Sequence, residues 1–193
     1  MIGRKKNWYF DGWESRKTLT SSGKLKTVWE YNDDYYGFDL DERKLKLLKI
    51  SFIVLPALII ALWIFFSLFK CIGRDSVLYV GAFWYVCVIP MIYLVMGACG
   101  AFKLSTEMTY RDLYACYRRI KVSSIALTIL YFAAIVGDFV FVSIYNDYFS
   151  IANEMPWFLG AVLEFIISGC LFLIQFKVKK KIKIVRKSEI QEE

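Results

Sequence analysis

Four apolar stretches long enough to cross a bilayer, with basic residues gathered on one side of them, constrain this chain more than any other feature. They run about Ile50 to Phe69, Val77 to Phe102, Val122 to Tyr145 and Trp157 to Phe176. A hydrocarbon core of about 30 Å needs about 20 helical residues to cross it. Backbone polar groups find no water at that depth, so each stretch reads as a helix. The predicted fold is therefore all-α and membrane-integral, with four transmembrane helices and both termini on one side. Charged residues make up 22% of the chain, yet nearly all of them lie outside the four stretches. A bilayer imposes that segregation, and a soluble core does not.

The side follows from the lysines and arginines. The segment to Lys49 holds 11, the loop Lys103 to Lys121 holds 5 and the tail from Lys177 holds 7, whereas the two opposite loops hold only Lys70 and Arg74. Basic loops stay in the cytoplasm, so the expected orientation is N-in and C-in. Three regions follow: a cytoplasmic N-terminal segment (1–46), a four-helix membrane domain (47–176) and a basic cytoplasmic tail (177–193). The first apolar run reads as an uncleaved anchor, because no short signal-like stretch precedes it. Heavy use of Lys, Ile, Phe and Tyr suits an AT-rich bacterial genome, so a bacterial plasma membrane is the expected location. The net charge of +7 needs no nucleic-acid partner, since the basic runs serve as topology determinants that also meet anionic headgroups.

Several chemistries are disfavoured. The chain has no histidine, and its five cysteines (Cys71, Cys87, Cys99, Cys116 and Cys170) form no Cys-x-x-Cys pair. Disulfide frameworks, common zinc sites and His-ligated haem are therefore not expected, and neither a metal nor a cofactor is assigned. No Ser-centred elbow or array of metal-binding acids is present, so an enzyme acting on lipid has the weakest support. The adjacent Asp33 and Asp34 read as turn residues. No stretch resembles a known family.

The N-terminal segment is unusually aromatic. Two β-like runs, Trp13 to Thr20 and Leu25 to Tyr31, flank Ser21 to Lys24, a hairpin turn by composition. Trp8, Trp13, Trp29 and Tyr31 are the partner-docking candidates, since Trp and Tyr anchor interfaces well. The alternative is an aromatic segment resting on the headgroup layer. Asp39 and Glu42 suggest a capped helix start, and Thr106 to Arg119 has helical character, which would extend the second and third spans as a helical hairpin. Pro56 and Pro90 predict kinks covered by neighbours. The run Gly97-Ala98-Cys99-Gly100-Ala101 predicts a close helix approach.

Asp138 and Glu164 are the only acids deep within the predicted spans. Each lies seven residues in from one end of its span, which places them at similar depth. Small residues flank both: Ala133, Ala134 and Gly137 near Asp138, and Gly160 and Ser168 around Glu164. Both acids should therefore face protein. A buried carboxylate must be protonated, hydrated or matched by a cation, and Lys70 is the counter-ion candidate. The two acids are ion or intersubunit pairing candidates; alternatively, Asp138 merely ends a shorter helix and Glu164 bonds a backbone carbonyl. The functional expectation is an accessory or assembly subunit of a membrane complex, such as a transporter. Its partners would be the bilayer and another membrane subunit, or a second copy of itself. The alternative is a small oligomeric proton- or cation-coupled transporter or channel using Asp138 and Glu164.

Overall fold

The computed structural model describes residues 13–19, 25–31, 35–105, 108–145 and 151–185. Trp8, the turn Ser21 to Lys24, the Asp33–Asp34 pair and the last eight residues of the tail lie outside them. The chain is mostly helical, and four helices are long and apolar enough to cross a membrane. Two strands, β1 (Trp13–Leu19) and β2 (Leu25–Tyr31), form the expected antiparallel hairpin, with Trp13 opposite Tyr31 and Ser15 opposite Trp29. After β3 (Tyr35–Phe38), α1 (Glu42–Ser67) runs unbroken through Pro56, which is buried. Its first residue follows Asp41, not Asp39. Asp39 is drawn aside because its amide bonds the Lys181 carbonyl at 2.7 Å and its carboxylate meets Lys183 at 3.0 Å.

A short helix, α2 (Ile72–Ser76), fills the first connection. The second span is two helices, α3 (Leu78–Val86) and α4 (Val88–Ala101), broken at Cys87. Pro90 has no N–H to donate, so the ladder must fail just before it. A neighbour covers part of the break: Trp63 of α1 donates its indole N–H to the Trp84 carbonyl at 3.3 Å. The third span begins at α5 (Tyr110–Leu113), passes through a π-helical turn (Tyr114–Arg118) and continues as α6 (Arg119–Tyr145). The helical extension of the middle loop thus belongs to the third span alone. The last span, α7 (Ile151–Lys179), starts earlier than its apolar run and includes Pro156. Pro156 is the sixth residue of α7 and so lies inside the helix, where its missing N–H omits one ladder bond.

The four long helices form a ring in which α6 packs on α7, α3 and α4, and α1 packs on α7 and α4. Close approach is set by glycine, as the small-residue run predicts. A Cβ on Gly97 would lie 2.7 Å from Ile120 Cγ1, and one on Gly100 would lie 3.1 Å from Cys116 Cα. On α7, Gly160 lies directly against the Phe66 ring. The middle of the ring is filled by Trp84, Tyr131 and Trp157, all fully buried; the Trp84 ring lies edge-on to Tyr131 at 5.8 Å and tilted against Trp157 at 5.2 Å. Aromatic side chains at these separations gain from offset and edge-on geometry beyond their area alone.

One junction was not foreseen. The basic tail forms β4 (Ile182–Val185), which pairs antiparallel with β3, Tyr36 facing Ile184. Tyr36 also exchanges two 2.8 Å backbone bonds with Met108 in the α4–α5 loop. Phe38, Leu104 and Met108 are buried beneath this join. Both ends of the four-helix unit therefore meet at one end of the molecule, the terminal end; α2 lies at the other.

Candidate functional site

The buried polar chemistry at the α2 end is organised around Glu154, which has 2% of its surface exposed. The first amides of a helix have no partner within it, and Glu154 supplies one to α2. Its Oε1 accepts from Ile72 N at 2.7 Å, and its Oε2 accepts from Gly73 N at 3.3 Å. The Cys71 thiol donates to the same Oε2 at 2.8 Å, and Cys71 Sγ in turn accepts from Arg74 N at 3.3 Å. Burial, reinforced by the bond to Glu154, pushes the Cys71 thiol pKa well above its ordinary value. Sequence reasoning assigned Glu154 to a loop. The signal lay in Glu154, an acid two residues ahead of Pro156 that falls in the first turn of a helix.

Arg74 is also buried, and it faces away from these acids. It donates to Asp75 Oδ1 at 2.7 Å, and to the carbonyls of Ser67 at 3.2 Å, Phe69 at 2.9 Å and Phe66 at 3.4 Å. A guanidinium fork suits the unpaired carbonyls at the C-terminus of α1, where the helix dipole is negative. The bond from Arg74 holds Asp75 below the usual carboxylate pKa. Lys70, the expected counter-ion, is exposed and makes no ion pair among the described residues. The bilayer-side cation that the structure buries is Arg74, and it serves helix ends and Asp75 rather than Asp138.

Asp138 is fully buried beside Glu154, and neither of its carboxyl oxygens has a hydrogen-bond partner among the described residues. Its approach to α2 depends on Gly73, since a Cβ there would sit 2.7 Å from Asp138 Oδ1. Ligand atoms of Cys71, Asp138 and Glu154 all lie within 4.8 Å of one another. A cleft of about 210 Å³ opens on the two acids and is lined by Phe139, Val142, Met155 and Phe158.

Glu164 is not part of this cluster. It is also fully buried, but it lies near Tyr131 and Cys87. Neither the Tyr131 hydroxyl nor the Glu164 carboxyl makes a hydrogen bond of standard geometry. Glu154 and Glu164 are separated along α7 by about 15 Å of helical rise. The expected pairing at equal depth therefore gives way to two acid sites on different levels. The reason is axial offset: α7 begins at Ile151, ahead of its apolar run, and so brings Glu154, not Glu164, to the level of Asp138. Both acids do face protein, as the small flanking residues predict.

The docking candidates remain apart from this chemistry. Trp13, Trp29 and Tyr31 lie on the β1–β2 hairpin, which precedes β3 at the terminal end of the chain. No family model, curated protein or solved structure matches this chain. Site geometry and fold therefore carry the functional argument.

Proposed function

We propose that this chain is an accessory or assembly subunit of a larger bacterial plasma-membrane complex, such as a transporter, with both termini in the cytoplasm. The observation that carries the reading is the filled centre of the four-helix unit. Trp84, Tyr131 and Trp157 occupy the space through which a single-chain conduit would run. The hairpin adds support: its two strands pair only with each other among the described residues. Two isolated strands are marginal in water, and an open edge is a place where a partner can add a strand. The basic residues of segments 1–49, 103–121 and 177–193 support the cytoplasmic placement of the hairpin. Extraction from native membranes in mild detergent, followed by mass identification, tests the assignment. A stoichiometric second protein that is lost on deleting residues 1–31 is expected. A lone homo-oligomer would overturn it.

A second reading, the small oligomeric proton- or cation-coupled transporter or channel, is favoured by the buried carboxyls of Asp138 and Glu164, neither of which is matched by a cation among the described residues. Here the pathway would run between copies. Flux into proteoliposomes that fails in both Asp138→Asn and Glu164→Gln is its expected signature.

A further inference from the structure

We propose that Cys71, Asp138 and Glu154 form a binding site for a single borderline-soft divalent cation of the zinc class. The inference rests on neither functional reading above. Three observations converge on it.

The donors already stand close together. Their ligand atoms lie within 4.8 Å of one another, and they come from three separate elements: the residue ahead of α2, the far part of α6 and the first turn of α7. Donors around a tetrahedral zinc ion stand about 3.3–3.8 Å apart, given bonds of about 2.0–2.3 Å. To seat a cation, the Cys71–Glu154 pair would open from its 2.8 Å hydrogen bond. Next, Asp138 is fully buried with both oxygens unpartnered among the described residues, although buried carboxyls are normally hydrogen-bonded. A cation in the trio would give it its missing partner. Finally, the supporting groups are in place: Ile72 N and Gly73 N hold Glu154 in orientation, the role outer-shell donors play around metal ligands.

The donor set selects the ion. Two carboxylates alone would suit calcium or magnesium, which take six or more oxygens. A thiolate in the set favours zinc, or cobalt as its probe. On binding, Cys71 releases its thiol proton to solvent and coordinates as thiolate. The expectation that metal sites need histidine or Cys-x-x-Cys spacing overlooks this arrangement, because its ligands converge only through helix packing.

Titration of the purified, chelator-treated full chain with Co²⁺ and then Zn²⁺ tests the proposal. One equivalent of Co²⁺ should give a thiolate-to-cobalt charge-transfer band that Zn²⁺ abolishes by displacement. Cys71→Ser should remove the band, and Asp138→Asn should weaken binding at least about 10-fold, the lower figure for losing only an outer-shell partner. The double variant Cys99→Ser/Cys170→Ser, which alters the two exposed cysteines, should keep the band. Absence of stoichiometric binding, a band that survives Cys71→Ser, or Ca²⁺ displacing cobalt as readily as Zn²⁺ would each overturn it. So would unchanged affinity in a folded Asp138→Asn protein. If that variant does not fold, the Cys71→Ser result decides.

Discussion

The two ends of this molecule solve the same problem, closing a helical ring, by different physics. At the terminal end, three segments distant in sequence are tied by main-chain bonds: β3 to β4, and Tyr36 to Met108. The charges there stay in solvent, and the Lys183–Asp39 pair is 63% and 50% exposed. At the α2 end two charged side chains, Glu154 and Arg74, are buried and fastened to specific backbone groups, Glu154 to two amides and Arg74 to three carbonyls. An exposed ion pair contributes little because water and salt screen it. A buried charge that loses its partners leaves them unsatisfied at full desolvation cost. Sequence changes at the terminal end should therefore be tolerated, and those at the α2 end should not.

The sharpest test of that contrast is Glu154→Ala, which strips partners from the Cys71 thiol and two buried amides. A loss of about 3 kcal/mol is expected, read as a fall in Tm of at least about 6 °C in detergent. Stability within 1 °C of the parent would break the comparison. Arg74 comes next. Arg74→Ala should cost about 2 kcal/mol by freeing the α1 carbonyls, and Arg74→Lys should recover little, because an ammonium cannot reproduce the fork. The same variants release Asp75. Since Arg74 lowers the folded-state pKa of Asp75, the pair's contribution is present above the unfolded carboxylate pKa. It is lost as pH falls through the lowered folded value. Melting curves of the parent should therefore show an acid-side loss of stability below about pH 4 that is shallower in Arg74→Ala. Smallest is Lys183→Ala, where under about 0.5 kcal/mol is expected. A larger loss there would show that β4 is held by its side chains rather than its backbone.

Some of this architecture was legible residue by residue. Gly97 and Gly100 announced a close helix contact, Pro90 announced a kink, which takes the form of a break at Cys87, and the β-like run through Trp29 announced a strand; each signal is local. Glu154 was illegible for a definite reason. Hydropathy ends a span where apolar residues end, whereas a helix ends where its backbone bonds can no longer be satisfied. The turn from Ile151 to Pro156 falls between those two definitions, and it holds the acid around which the α2 end is built. The β3–β4 pairing was hidden by a similar conflict: Ile182-Lys183-Ile184-Val185 alternates only briefly, inside a run that reads as basic tail.

By itself, then, the sequence determined the number of long apolar helices, their glycine contact faces, the hairpin and the burial of Asp138 and Glu164. Those follow from composition and period, which act over a few turns. Only the tertiary structure decided which acids share a level, that Arg74 rather than Lys70 is the buried cation, and that the two segments flanking the four-helix unit, β3 and β4, meet in one sheet. Such choices depend on the rotational phase and axial offset of packed helices. A shift of one residue turns a helical side chain by about 100°, and no local pattern in this chain sets that phase.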